Sequence, residues 1–323
     1  MSAADPRLPT FFVVGAAKAG STALHMFLSE HPQIFMSPVK ETNYFSQPDM
    51  DKAHYARDYR HDVHVDLERY LSGPMTRKIH IADVERWEDY VRLFRDVEGQ
   101  IAIGEASNSY LMCPSAAPGI ADRFPDARIL MMLRNPIERV WSHYLMDLRL
   151  GKTLEENLIA EVETDARQEH QGWGVTKNYL ELGHYSGQLE RYRALFPEEH
   201  IKVLLYDDYR ADPERTLRDI FAFLGVDPTV ELQLERRFNA AAVPRFKKLN
   251  YLLFQSGLVN RVKRMVPEGW KGAAKQAMFT RADMPTFQQR DREYLCDYYR
   301  EEVGRLGELL GRDLSHWVEA TPA

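Results

Sequence analysis

Gly15-Ala16-Ala17-Lys18-Ala19-Gly20-Ser21-Thr22 directly follows the apolar run Phe11-Phe12-Val13-Val14 and opens a segment whose apolar positions Leu24, Phe27 and Leu28 have helical spacing. This reads as a strand, a glycine-bounded turn and a helix. Such a turn presents backbone N–H groups and a helix amino terminus to an anion, so a phosphate-like group belongs there. In nucleotide-hydrolysing loops of the form GxxxxGK[ST], lysine follows the second glycine. Here Ser21 fills that place, and the loop's lysine is Lys18, which weakens an ATPase reading. An ordinary tight turn would need the glycines but not a lysine among them.

Outward from this loop, residues 128–133 and 201–206 are further apolar runs of strand length, each followed by helical periodicity, and residues 101–104 are a weaker fourth. Strands alternating with helices predict an α/β fold with a central parallel sheet. Leu217, Ile220, Phe221 and Leu224 recur at i, i+3, i+4 and i+7, and Leu189, Tyr192 and Phe196 mark the preceding helix; these are core faces. A carboxy-terminal stripe of Leu295, Tyr299, Leu306 and Leu310 ends at Gly311. Without a repeat or a long linker, the chain reads as one domain over residues 1–323. The stretches near 47–97 and 153–177 are the least patterned; the first reads as solvated helical surface, with a lid or acceptor-binding insertion as the alternative.

The 323 residues, 44% hydrophobic and 28% charged, suit a globular chain with an ample core. The net charge of −6 argues against the broad basic face of a nucleic-acid binder but leaves room for a local cationic pocket. Two distant cysteines, Cys113 and Cys296, exclude a disulfide framework or CxxC zinc site and read as buried thiols. No window approaches the ~18–20 apolar residues of a membrane span, and the amino terminus lacks a signal-peptide pattern. A cytoplasmic location is expected.

At the first loop the sequence resembles the sulfotransferases that use 3′-phosphoadenosine 5′-phosphosulfate (PAPS), in particular the branch of heparan sulfate sulfotransferases and soluble bacterial homologues. Their phosphosulfate loop, K-x-G-[ST]-T, is matched by Lys18, Gly20, Ser21 and Thr22, with Ala19 between them. The resemblance continues through HPQIFMSPVKETNYFS, GEASNSYL, ILMMLRNPIERVWSHY, GHYSGQLERYRALFPEEHIKVLLYDDYRADPERTLRDIFAFLGV and GRDLSHW, in the family's order. It implies a P-loop-like three-layer fold, the central sheet flanked by helices.

The resemblance also implies roles. In R-[ND]-P-x-x-R-x-x-S the arginine and serine hold the nucleotide's 3′-phosphate; Arg134 and Ser142 occupy those positions. Guanidinium suits that task, being always charged and able to donate two parallel hydrogen bonds. Arg139, the second arginine, is expected to make a surface ion pair. Lys40-Glu41-Thr42-Asn43-Tyr44-Phe45 resembles E-x-x-[FY]-F, which assigns Glu41 as general base, and Lys18 supplies positive charge to the departing phosphate oxygen. Glu105 is a lesser candidate for acceptor contact, and His54, His143 and His184 are alternative bases. A late basic loop corresponds to Thr280-Arg281 through Pro285, giving Arg281 as a nucleotide contact, with Arg245, Lys247 and Lys248 as the competing choice.

Two departures concern the acceptor. Ala106 stands where heparan-acting relatives carry lysine after the glutamate matched by Glu105, and the late loop has lost basic residues. Both argue against an anionic polysaccharide. The expected reaction is in-line sulfuryl transfer from PAPS to a hydroxyl, less readily an amine, of a small-molecule, lipid or carbohydrate acceptor, with no metal required. A small-molecule kinase is the rival enzyme, but it should carry lysine before Ser/Thr and a carboxylate for Mg²⁺. A non-catalytic phosphoadenosine-binding protein is the alternative from another class; Glu41 argues against it.

Overall fold

The computed structural model describes residues 7–232, 243–256, 279–280 and 284–319. The chain divides into two compact units, Met1–Met50 with Asp62–Asn135 and Tyr185–Phe238, and Asp51–His61 with Pro136–His184 and Asn239–Ala323.

In the first unit the described strands are β1 (Phe11–Gly15), β2 (Ile34–Met36), β3 (Val39–Glu41), β4 (Ile79–Ile81), β5 (Ala102–Ala106), β6 (Arg128–Leu133) and β7 (Ile201–Leu205). Five form a parallel sheet in the order β2-β5-β1-β6-β7. Every residue of β1 and β5 is buried, as are Ile129 to Leu133 of β6, because unbroken apolar strands must be covered on both faces. Edge strand β7 is less enclosed, with Lys202 and Val203 half-buried. The helix Pro213–Leu224 buries the expected stripe of Leu217, Ile220, Phe221 and Leu224. Asp212 caps its start by accepting from the Arg215 N–H at 3.0 Å, and Gly225 ends it at φ 74°.

The strand order positions the site. From β1 the chain moves to β2 on one side, whereas from β5 it crosses to β6 on the other side of β1. Open α/β sheets bind ligands outside the carboxyl ends of strands at such a reversal. Those ends deliver the Lys18 loop after β1, Ser107 and Asn108 after β5, Arg134 after β6 and Tyr206 after β7.

Three short strands were not foreseen in the sequence: β2, and the parallel pair β3 and β4. Each has three residues, too few to display an alternating pattern, and β4 lies in the stretch read as irregular helix. Cys113 and Cys296 are free and buried, as expected.

The second unit is built on the helices Pro136–Leu150, Leu158–Ala166 and Gln289–Leu310. The last buries Leu295, Tyr299, Val303 and Leu306 and ends at Gly311 with φ 61°. The Tyr299 hydroxyl donates to the Leu180 carbonyl at 2.7 Å. Arg139 departs from the expectation of a surface ion pair: it is 0% exposed and donates to the Tyr179 carbonyl and, at 3.5 Å, to His143 Nδ1. Its two terminal nitrogens find fixed acceptors inside the unit, while Nε is buried without a partner among the described residues.

Candidate active site

The loop after β1 turns through three residues of positive φ, Gly15 (155°), Lys18 (68°) and Gly20 (97°). Two of these need glycine for space as well. A Cβ on Gly15 would stand 2.9 Å from Leu111 Cβ, and one on Gly20 would stand 3.3 Å from the Tyr206 ring. The helix Ser21–Glu30 begins at once, and its first internal hydrogen bond runs from the Leu24 N–H to the Gly20 carbonyl at 3.1 Å. The N–H groups of Ser21, Thr22 and Ala23 therefore have no acceptor within the helix, and the positive end of its dipole faces the loop. Ala19 and Ser21 are buried, while Lys18 and Thr22 are half-buried.

Arg134 reaches this loop from β6. Its Nη1 donates to the Lys18 carbonyl at 3.3 Å, and its guanidinium carbon lies 4.9 Å from the centre of the Tyr206 ring. That placement adds a permanent cation to the anion-binding backbone, with an aromatic wall limiting its rotamers. Ser142 is half-buried on the helix Pro136–Leu150 of the second unit. Arg281 lies outside the described residues. Of its competitors, Arg245 and Lys248 are exposed, and Lys247 pairs with Glu156 at 2.6 Å.

Glu41 ends β3 and is only 5% exposed. Its Oε1 accepts from Lys40 Nζ at 2.6 Å and from Asn108 Nδ2 at 2.7 Å, and both hydrogen bonds recorded for this carboxylate end on that one oxygen. His80 of β4 is exposed, and desolvation holds its pKa below the ordinary histidine value. Glu41 and Asp62 raise that value, whereas Lys40 and Lys18 lower it.

Around Glu41, the motifs KETNYFS and GEASNSYL interlock. The Ser107 hydroxyl accepts from the Thr42 and Asn43 N–H groups at 3.1 and 3.2 Å and donates to Glu105 at 2.6 Å. Ser109 donates to Asn43 Oδ1 at 2.8 Å. Glu105 itself is 0% exposed and accepts from Thr42 at 3.1 Å and Tyr90 at 3.3 Å. Desolvation pushes its pKa up to about 7 despite these donors. It is a strut of the network, out of an acceptor's reach.

The three alternative histidines all lie in the second unit and are engaged there. His54 pairs with Asp51 at 2.6 Å, His143 is packed against Tyr179, and His184 shares a 3.0 Å hydrogen bond with the Tyr298 hydroxyl. The sequence reading missed Lys40, His80, Asn108 and Tyr206. Lys40, Asn108 and Tyr206 carried a signal, since each stands inside a quoted motif, the last two at the end of an apolar run; His80 carried none beyond its residue type.

A model of the sulfotransferase family matches residues 9–230. The chain belongs to the sulfotransferase family. Rat carbohydrate sulfotransferase 15 is 25% identical over 263 residues, which are 70% of this chain and 45% of that protein. Human bifunctional heparan sulfate N-deacetylase/N-sulfotransferase 2 is 27% identical over 326 residues, covering 97% of this chain and 31% of the relative. The chain thus spans less than half the length of either. A sulfotransferase crystal structure from Alicyclobacillus acidocaldarius is 28% identical, covers 97% of this chain and 100% of its own, and superposes with a TM-score of 0.69. Among the described residues of this sulfotransferase family member, no helix is long and apolar enough to cross a membrane.

Proposed function

We propose that the chain transfers a sulfuryl group from PAPS to a hydroxyl, less readily an amine, of a small-molecule, lipid or carbohydrate acceptor, and that it works in the cytoplasm. The observation that carries this reading is the Arg134 guanidinium donating to the Lys18 carbonyl, which joins a cation to a helix-start anion loop at the sheet's reversal point. The residues fit the donor. The N–H groups of residues 21–23 suit its 5′ end, and Arg134, with Ser142 as the resemblance assigns it, suits a 3′-phosphate.

When bound, PAPS supplies an activated sulfuryl group on a stable phosphate leaving group. Glu41 takes the proton from the acceptor hydroxyl as the acceptor oxygen bonds to sulfur. The bond from sulfur to the bridging phosphate oxygen breaks, and Lys18 stabilises the negative charge left on that oxygen. Lys40 and Asn108 keep the Glu41 carboxylate aimed. No step so written calls for a metal ion. Incubation with PAPS labelled in its sulfuryl group and a panel of alcohols, amines and glycans tests the proposal. Labelled sulfated product supports it; label that stays on PAPS with every acceptor, under conditions where the nucleotide binds, contradicts it.

A further inference from the structure

In the second unit, residues 51–54 and 170 bring together a cluster unrelated to the anion loop. Asp51, His54 and His170 are all exposed, and one ligand atom from each lies within 4.8 Å of the others. The His54 and His170 rings stack at 3.5 Å with 12° between their planes, and His54 Nδ1 meets Asp51 Oδ2 at 2.6 Å. A 3₁₀ turn over Lys52–His54, closed by the His54 N–H on the Asp51 carbonyl at 3.0 Å, sets these two side chains on one face. Side chains at i and i+3 eclipse in that geometry.

The two segments are braced independently of the cluster. The Ala56 N–H donates to the Gly174 carbonyl at 2.8 Å, and Trp173 Nε1 donates to the Tyr59 hydroxyl at 3.2 Å. Gly174, at φ 81°, lies so close to Tyr59 that a Cβ would stand 2.7 Å from the ring. Arg60 donates back to the Ala53 carbonyl at 2.9 Å, and Gln171, beside His170, donates to the Gln168 carbonyl at 2.8 Å. The backbones carrying the three donors are therefore held before any ligand arrives, which lowers the entropic cost of binding.

We propose that Asp51, His54 and His170 form a surface site for a zinc-class divalent ion, with water as the fourth ligand. Two imidazole nitrogens and one carboxylate oxygen make a donor set that suits zinc and its neighbours better than the all-oxygen cations calcium and magnesium. Tetrahedral zinc with ligands at about 2.0–2.2 Å needs donors about 3.4 Å apart. The stacked rings, free at the surface, must tilt out of their parallel planes for both in-plane lone pairs to meet one ion, and the 2.6 Å separation between His54 and Asp51 must widen. The bound ion ties residues 51–54 to residue 170.

Isothermal titration of the full chain with zinc chloride tests this, alongside thermal unfolding at several zinc concentrations. One zinc per chain is expected, with a Tm that rises with zinc because only the folded chain assembles the site. His54→Ala and His170→Ala should each weaken binding by at least about tenfold and remove the Tm rise, whereas His64→Ala should change neither. Cobalt in place of zinc should give the visible absorption of a four-coordinate site in the parent chain and not in His170→Ala. Absence of stoichiometric binding to the parent chain, or binding that survives both His54→Ala and His170→Ala, overturns the assignment.

Discussion

Asn108 donates to Glu41 across 67 positions of sequence, at 2.7 Å and between two buried side chains. The loop after β5 thereby fixes the carboxylate at the end of β3, together with the Lys40 ammonium on the same oxygen. Removing the amide leaves Glu41 in place but free to rotate. Asn108→Ala should lower kcat by about 10- to 100-fold, since a misplacement of order 1 Å suffices for that. Affinity for adenosine 3′,5′-bisphosphate should stay near that of the parent. Glu41→Gln sets the floor, with kcat lower by about 10²–10⁴. Initial-rate kinetics with nucleotide titration check both; a loss of affinity matching the loss of kcat makes Asn108 merely structural.

Lys18 gives its carbonyl to Arg134, and the proposed reaction assigns its ammonium to the charge on the bridging oxygen. Lys18→Ala keeps the backbone acceptor and removes the charge. Turnover should fall by about 10²–10³, because the interaction strengthens as charge develops on the bridging oxygen, while nucleotide affinity falls less. Equal losses in kcat and affinity would make it a simple binding lysine.

Glu105 predicts a pH effect on stability. Its pKa is raised by burial from 4.5 to about 7, so the folded chain holds a proton there that the unfolded chain releases. Its full stabilising contribution is present below about pH 4.5 and is lost as pH rises through about 7. At about 1.4 kcal/mol per pH unit, the loss across that window is on the order of 3 kcal/mol. Glu105→Gln does not titrate, so denaturant unfolding at pH 5 and pH 8 should show a smaller difference for the variant than for the parent chain. Parallel pH profiles would contradict the raised value.

How far this architecture is legible in sequence depends on distance along the chain. The strand, turn and helix around β1, and the strand β6, are legible because each apolar run and its flanking glycines lie within a few residues of one another. The base network is not, since Thr42, Asn43 and Glu41 meet partners 63 to 67 positions away, in pairings that no local pattern encodes. Arg139 misleads for a related reason. Its partner, the Tyr179 carbonyl, is 40 positions on, and a charged residue with an unseen partner reads as surface.

That arginine separates fold from site within a single motif. Arg139→Ala deletes a fully buried side chain and leaves the Tyr179 carbonyl with the Tyr299 hydroxyl at 3.5 Å, which should cost roughly 2–4 kcal/mol. The folded variant should keep its preference for a 3′-phosphate. Unfolding curves with nucleotide binding measure the two effects separately; a small stability change with lost nucleotide preference would place Arg139 in the binding site instead.

The central claim, proposed above, is that Arg134 and the Lys18 loop hold a nucleotide bearing a 3′-phosphate, and calorimetry with adenosine 3′,5′-bisphosphate and AMP tests it most directly. A desolvated, charge-assisted contact is worth roughly 2–5 kcal/mol, so AMP should bind at least about 30-fold more weakly. Arg134→Ala should erase most of that difference, and Ser142→Ala a smaller part, on the order of 1 kcal/mol. Equal affinity of the parent chain for the two nucleotides, or tighter binding of ATP with Mg²⁺ than of either, would contradict the account.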